Sequence, residues 1–277
     1  MDNKPVLKTI HVGSPGILRR IVRGARSLTA KIHPAPIIVL GNQKSGTTAI
    51  AALLAEATGL AVTLDLEREF TDPVIDRIKT GGMSMEAFVK RNRLDFSRDV
   101  IKEPSLSVFF PELVAYFPDA RFVMVIRDPR DNIRSILNRL KIPGTTEELT
   151  DSHRSEITRA WDLIVDGSWL GLAGANFMEM LAQRWNYIAD SYRENPDQMN
   201  LLRYESFLKD KMGEISRLAH RLGLETRHDI SHRVDHQFQP AGDRDVNWLS
   251  FFGPVNLARI ETICRERMRV FDYAPSI

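Results

Sequence analysis

Cysteine is almost missing from this chain, with Cys264 alone among 277 residues. One thiol excludes an intramolecular disulfide and offers no cysteine cluster for a zinc site, so a reducing cytoplasm is the simplest setting. Long apolar runs are missing too. No stretch reaches the roughly 18 apolar residues that a membrane-spanning helix needs, and no charged start leads into an apolar core and a small-residue cleavage site. Neither a spanning segment nor a secretory leader is expected. Internal repeats and low-complexity linkers are absent. His228, His232 and His236 recur at intervals of four, but no fourth ligand stands near them. They read as solvated side chains of a polar connector, and no metal is expected.

Charge of one sign is scarce overall, at +2, yet it is unevenly placed. Residues 1–35 carry seven Lys/Arg against one acid, and the rest of the chain is mildly acidic. On a helical wheel Ile17, Leu18, Ile21, Val22, Ala25, Leu28 and Ile32 share one side, with Arg19, Arg20, Arg23, Arg26 and Lys31 on the other. Such a segment, over 15–32, suits docking on the domain or peripheral contact with an anionic membrane surface. A nucleic-acid arm is disfavoured because no aromatic side chains are interleaved to stack on bases.

What is present is 43% apolar residues, enough for one large α/β domain, and a stretch that organises it, PIIVLGNQKSGTTAIAALLAEA from residue 36. The run 37–40 is unbroken and apolar, as in a strand buried on both faces. A turn, Gly41-Asn42-Gln43-Lys44-Ser45-Gly46, follows, and from Thr47 the residues favour a helix with Ile50, Leu53, Leu54 and Ala57 facing the sheet. Strand, loop and helix in that order aim free N–H groups and a helix's positive end at one spot, which attracts phosphate or sulfate. The loop departs from the triphosphate motif GxxxxGK[ST], because Thr47 stands where that motif has its lysine and Lys44 lies two residues before the second glycine. Thr47, Thr48 and Lys44 still suit a 5′-phosphate group, whereas the usual arrangement for a triphosphate with magnesium is broken.

Further along, residues 60–64 read as a second strand, with Asp65 to Phe70 as an extended run off its carboxyl end that sets Asp65, Glu67 and Glu69 on one face. Residues 73–79 and 85–93 read as short helices capping the site, with Ser84 as an N-cap. A strand at 99–102 closes at Pro104, and Phe109, Phe110, Leu113 and Val114 mark a helix. The run 121–127, RFVMVIR, is a strand of the sheet's centre, and Asp128-Pro129 starts a helix to about 140. Arg127 then sits at a strand's carboxyl edge with Ser135 two turns into the next helix, where both can meet one anion. The alternative for Arg127 is a salt bridge to Asp128 or Asp131. Trp161, Trp169 and Phe177, set between glycines, suit a lid or acceptor pocket, or ordinary packing. Residues 177–193 form a helix, 199–203 a fifth strand leading into Tyr204-Glu205, and 209–222 a helix ending at Gly223. Residues 237–252 read as a loop in which Arg244 is the base best placed to fold over a bound anion, and 254–271 close the chain as a helix.

With these residues in place, the chain resembles the sulfotransferases that use 3′-phosphoadenosine 5′-phosphosulfate. The resemblance rests on Gln43-Lys44-Ser45-Gly46-Thr47-Thr48, which matches that family's 5′-phosphosulfate loop, and on Arg127 with Ser135, which match its 3′-phosphate pair. Lys102-Glu103-Pro104, Arg203-Tyr204-Glu205 and Trp248 are weaker matches. It implies a three-layer α/β fold, a mostly parallel central sheet with helices on both faces, over a single domain at 36–277 that leaves the basic segment 1–35 outside. It also implies the donor 3′-phosphoadenosine 5′-phosphosulfate, no metal, and in-line sulfuryl transfer to a small-molecule, sugar or lipid hydroxyl or amine. Lys44 would stabilise the leaving phosphate, Lys102 would orient the sulfuryl oxygens, and Tyr204 and Arg244 would join the donor contacts. The cytosolic branch acting on phenols and steroids has a histidine two residues after the lysine of the third strand, where this chain has Pro104. The sequence is similar instead to carbohydrate, protein-tyrosine and bacterial branches that use a carboxylate, for which Glu67 is the first candidate base and Glu69 the second. A P-loop nucleotide kinase and a non-catalytic adenosine bisphosphate binder remain as alternatives.

Overall fold

The computed structural model describes residues 27, 29–236 and 247–276, so Arg244 and most of the basic segment lie outside the described residues. The elements in chain order are β1 (Ile37–Gly41), α1 (Thr47–Thr58), β2 (Val62–Thr63), α2 (Glu67–Thr71), α3 (Asp76–Lys79), α4 (Met85–Arg91), β3 (Val100–Lys102), α5 (Phe110–Tyr116) and β4 (Arg121–Ile126). There follow α6 (Pro129–Leu140), α7 (Asp151–Glu156), α8 (Arg159–Val165), α9 (Phe177–Arg193), β5 (Met199–Arg203), α10 (Tyr204–Lys209), α11 (Lys211–Arg221) and α12 (Trp248–Val270).

The five strands are parallel, in the order β2-β3-β1-β4-β5. Alternation along β1 divides the core in two. Ile38 and Leu40 enter one cluster with Ile101, Met124 and residues of α6, α9 and α12, while Ile37 and Val39 enter the other with Val123, Val125, α1 and α11. Helices therefore cover both faces of the sheet, as expected. The chain leaves β1 toward β2 and β3 on one side and returns to β4 and β5 on the other. β1 and β4 thus flank the crevice where an open parallel sheet binds its ligand. Among the described residues, no helix is long and apolar enough to cross a membrane.

Three expected elements differ. The second strand is only Val62–Thr63, and the acidic run after it is helical rather than extended. Buried Leu66 anchors the turn, and Glu67 and Glu69 occupy the first turn of α2, where carboxylates suit the helix's positive end. The helix expected at 209–222 forms as α11, but a separate short helix, α10, precedes it over Tyr204–Lys209, and the Asp210 carboxylate accepts from the Gly213 N–H at 2.9 Å and starts α11 afresh. The closing helix begins at Trp248 rather than 254, with a break at Gly253, whose φ is 68°, ahead of Pro254.

Candidate active site

The loop after β1 is held from three directions. A side chain at Gly41 is impossible, since its Cβ would lie 2.5 Å from the Val125 carbonyl oxygen. Ser107 Oγ accepts from the Gly41 N–H at 2.7 Å and donates back to the Gly41 carbonyl at 3.0 Å. From α6, the buried Asn132 amide donates to the Gln43 carbonyl at 2.7 Å and Ser45 Oγ at 3.0 Å, and its oxygen accepts from Asn42 Nδ2 at 2.8 Å. Arg127 donates to the Lys44 carbonyl at 2.8 Å. Sequence reasoning missed Asn132 and Ser107, because a lone Asn or Ser in a helix or turn carries no spacing signal. So braced, Lys44 adopts a left-handed φ of 68°, rare for a residue with a side chain and frequent at functional sites. Gly46 fills the N-cap position of α1 without a side-chain cap, and a Cβ there would run into the Tyr204 ring.

Arg127 is not spent on Asp128 or Asp131. It lies over the Tyr204 ring at 4.7 Å, and its buried Nε has no hydrogen-bond partner. Arg134 is similarly buried, with Nη2 on Asp131 at 3.0 Å and Nη1 unpartnered. Ser135 is half-buried on α6, one turn before Arg139 and on the same face. Uncapped α1 and buried guanidinium nitrogens without acceptors fit a ligand carrying two separated phosphates. Trp248 is a brace: its Nε1 donates to Asp131 at 3.0 Å and its ring lies 3.7 Å from the Arg130 guanidinium carbon.

Beside this loop lies a charged cluster. Lys102, at the end of β3 and 3% exposed, contacts Asp65 with Nζ to Oδ1 of 2.5 Å. Burial pushes the Asp65 carboxyl above its ordinary range, against the pull of Lys102. Burial also brings Lys44 down to about 8, with Arg139, Arg127 and Lys102 adding to the fall and Asp65 opposing it. Glu103 holds this geometry: its two oxygens accept from the Leu66 N–H at 3.2 Å and the Ser105 N–H at 3.0 Å, fixing the backbone next to Asp65. Burial, then the Asp65 charge, raises the Glu103 carboxyl to about 7. Asp65 was visible as part of an acidic run but was passed over in favour of Glu67 and Glu69. Glu69 turns inward instead, accepting from the Val74 N–H at 2.9 Å, and Glu67 is half-buried on α2.

A small, partly open cavity is lined by Ile75, Leu163, Ile164 and Trp169, with Ser105, Glu69 and Arg184 as its polar members. Gln43 joins it to the loop. The Gln43 amide donates to Ser105 Oγ at 3.0 Å and accepts from Arg184 Nη2 at 3.2 Å. Of the expected aromatic segment, Trp161 and Trp169 both pack against the core and Phe177 is buried in it, and Trp169 also lines the cavity.

The sulfotransferase family matches this chain over residues 82–229, a span that includes Lys102, Arg127 and Ser135 but not the loop. No curated protein matches in sequence. A sulfotransferase from Mycobacterium avium superposes with a TM-score of 0.55 at 15% identity, covering 92% of this chain and 81% of that one. A mouse sulfotransferase solved in complex with PAP gives 0.51 at 13% identity, covering 91% and 93%. A sulfotransferase domain from the curacin biosynthetic pathway gives 0.51 at 13%, covering 88% and 99%.

Proposed function

The chain belongs to the sulfotransferase family, and on that premise we propose that Lys44, Lys102 and Asp65 carry sulfuryl transfer from 3′-phosphoadenosine 5′-phosphosulfate to a hydroxyl or amine in the adjoining cavity. The assignment rests on the Asp65–Lys102 pair, which sets a half-buried carboxylate against a buried ammonium within reach of the Lys44 charge.

When bound, the donor supplies an activated sulfuryl group whose bond to the 5′-phosphate breaks as a bond to the acceptor forms. The loop N–H groups with Thr47 and Thr48 hold the 5′-phosphate, and Arg127, Arg134 and Ser135 hold the 3′-phosphate, with Tyr204 backing the Arg127 guanidinium and Arg244 as a further contact. Lys44 takes the charge that develops on the departing phosphate oxygen. Asp65 accepts the acceptor's proton at Oδ, with an affinity raised by burial, and Lys102 orients the sulfuryl oxygens. Asp65 replaces Glu67 and Glu69 as the base because it is the carboxylate in contact with Lys102. This is a carboxylate-type site, in keeping with Pro104 at the histidine position of the cytosolic branch. A P-loop kinase reading is disfavoured by Thr47 in the lysine position.

Two measurements test the proposal. Adenosine 3′,5′-bisphosphate should bind without magnesium, and labelled sulfate should pass from donor to members of a panel of phenols, sugars, lipids and amines. Stabilisation by magnesium-ATP with none by the bisphosphate would mean a kinase; bisphosphate binding with no transfer to any acceptor would mean a non-catalytic binder.

A further inference from the structure

Arg184 is 1% exposed on α9, yet among the described residues it makes no ion pair, and its Nε and Nη1 have no hydrogen-bond partner. Its one recorded contact is Nη2 to the Gln43 oxygen. Burial lowers the guanidinium to about 10, and no carboxylate is paired with it to offset the fall. A buried cation without a counterion is costly unless something supplies the missing charge. Arg184 also lines the cavity beside the loop, with Ser105 as a neutral polar neighbour and Trp169, Leu163 and Ile164 as an apolar wall.

We propose that this cavity takes an acceptor with an apolar body and a carboxylate, the carboxylate pairing with Arg184. This deepens the sulfotransferase reading and rests on it, since it names the chemistry of that site's acceptor. A monoanion is favoured over a phosphate dianion, because Arg184 supplies one positive charge and Glu69 lines the same cavity. Gln43 gives the pairing a second consequence. Its amide touches both Arg184 and Ser105 while its backbone lies in the phosphate loop, so an acceptor carboxylate would be registered against the donor site.

The test uses octanoate and phenylpropionate against their neutral amides, titrated calorimetrically into the full chain with and without saturating adenosine bisphosphate. The acids should bind at least about tenfold more tightly than the amides, as expected for a charge-assisted pairing out of water. Arg184→Gln should abolish that preference, and Arg184→Lys should keep part of it. Equal affinity of acid and amide, no binding by either acid, or tighter binding of octyl phosphate than octanoate overturns the inference. Acid preference without bisphosphate binding would instead retain the cavity's specificity and remove the sulfotransferase assignment of the loop.

Discussion

At the scale of single residues, the chemistry turns on which carboxylate meets the acceptor's proton. Asp65→Asn keeps the shape and removes the proton acceptor, so turnover should fall ~10²–10⁴-fold while bisphosphate affinity stays close to parental. Glu67→Gln should turn over normally, and a dead Glu67→Gln beside an active Asp65→Asn would return the role to α2. Lys44 carries a second prediction. Its ammonium titrates near 8 in the free protein because burial and three cations disfavour the charge. Phosphate at the loop favours the charged form, so the bound state holds its proton to higher pH. Bisphosphate affinity should therefore fall as pH rises through about 8, by up to about tenfold per unit for one linked proton. Calorimetry in buffers of different ionisation enthalpy should show proton uptake above that pH, and Lys44→Met should bind with neither the slope nor the uptake.

At the scale of elements, α6 braces the β1 loop through Asn132, which ties the element after Arg127 to the element that holds Lys44. Asn132→Ala strips three partners from a buried site and should cost about 1–3 kcal/mol of stability. Bisphosphate affinity should fall with it, and unchanged affinity in a destabilised variant would show that the loop keeps its shape alone. Elements with strong local rules were legible in the sequence. The run 37–40 is apolar because both faces of β1 are buried, Asp128-Pro129 starts a helix, and Gly59 ends one with a φ of 73°. The acidic run was not legible, since alternation from Asp65 to Glu69 fits a strand, and only the burial of Leu66 and the inward turn of Glu69 select a helix. An extended run sets Asp65, Glu67 and Glu69 on one face, so the sequence alone offers no ground for separating Asp65 from the other two. Arg184 was hidden for a related reason: at the sequence level it is one more basic residue on an amphipathic helix, and only burial gives it meaning.

At the scale of the whole molecule, the buried acids beside Lys102 set how stability responds to pH. Glu103 has an ordinary value of 4.5 and is raised to about 7 in the fold, first by burial and then by the Asp65 charge. Between those values the folded chain holds a proton that the unfolded chain has released. Stability should then decline as pH rises through that window, by up to about 1.4 kcal/mol per pH unit for one proton, and level off above it. Asp65, also raised by burial, acts in the same direction, whereas the exposed Asp210, Asp229 and Asp235, held low by hydrogen bonds, act in the opposite sense below their ordinary range. Their effect falls at lower pH, so the Glu103 window is separable. Glu103→Gln keeps one acceptor for the backbone N–H groups of Leu66 and Ser105 and removes the titration. Denaturant unfolding of parent and variant from pH 4.5 to 7 should give curves that diverge, with the parent losing stability relative to the variant as pH rises. Parallel curves would mean that Glu103 is ionised throughout, and that the lowered proton affinity of the cluster must be explained by Lys102 neutralising both acids at once.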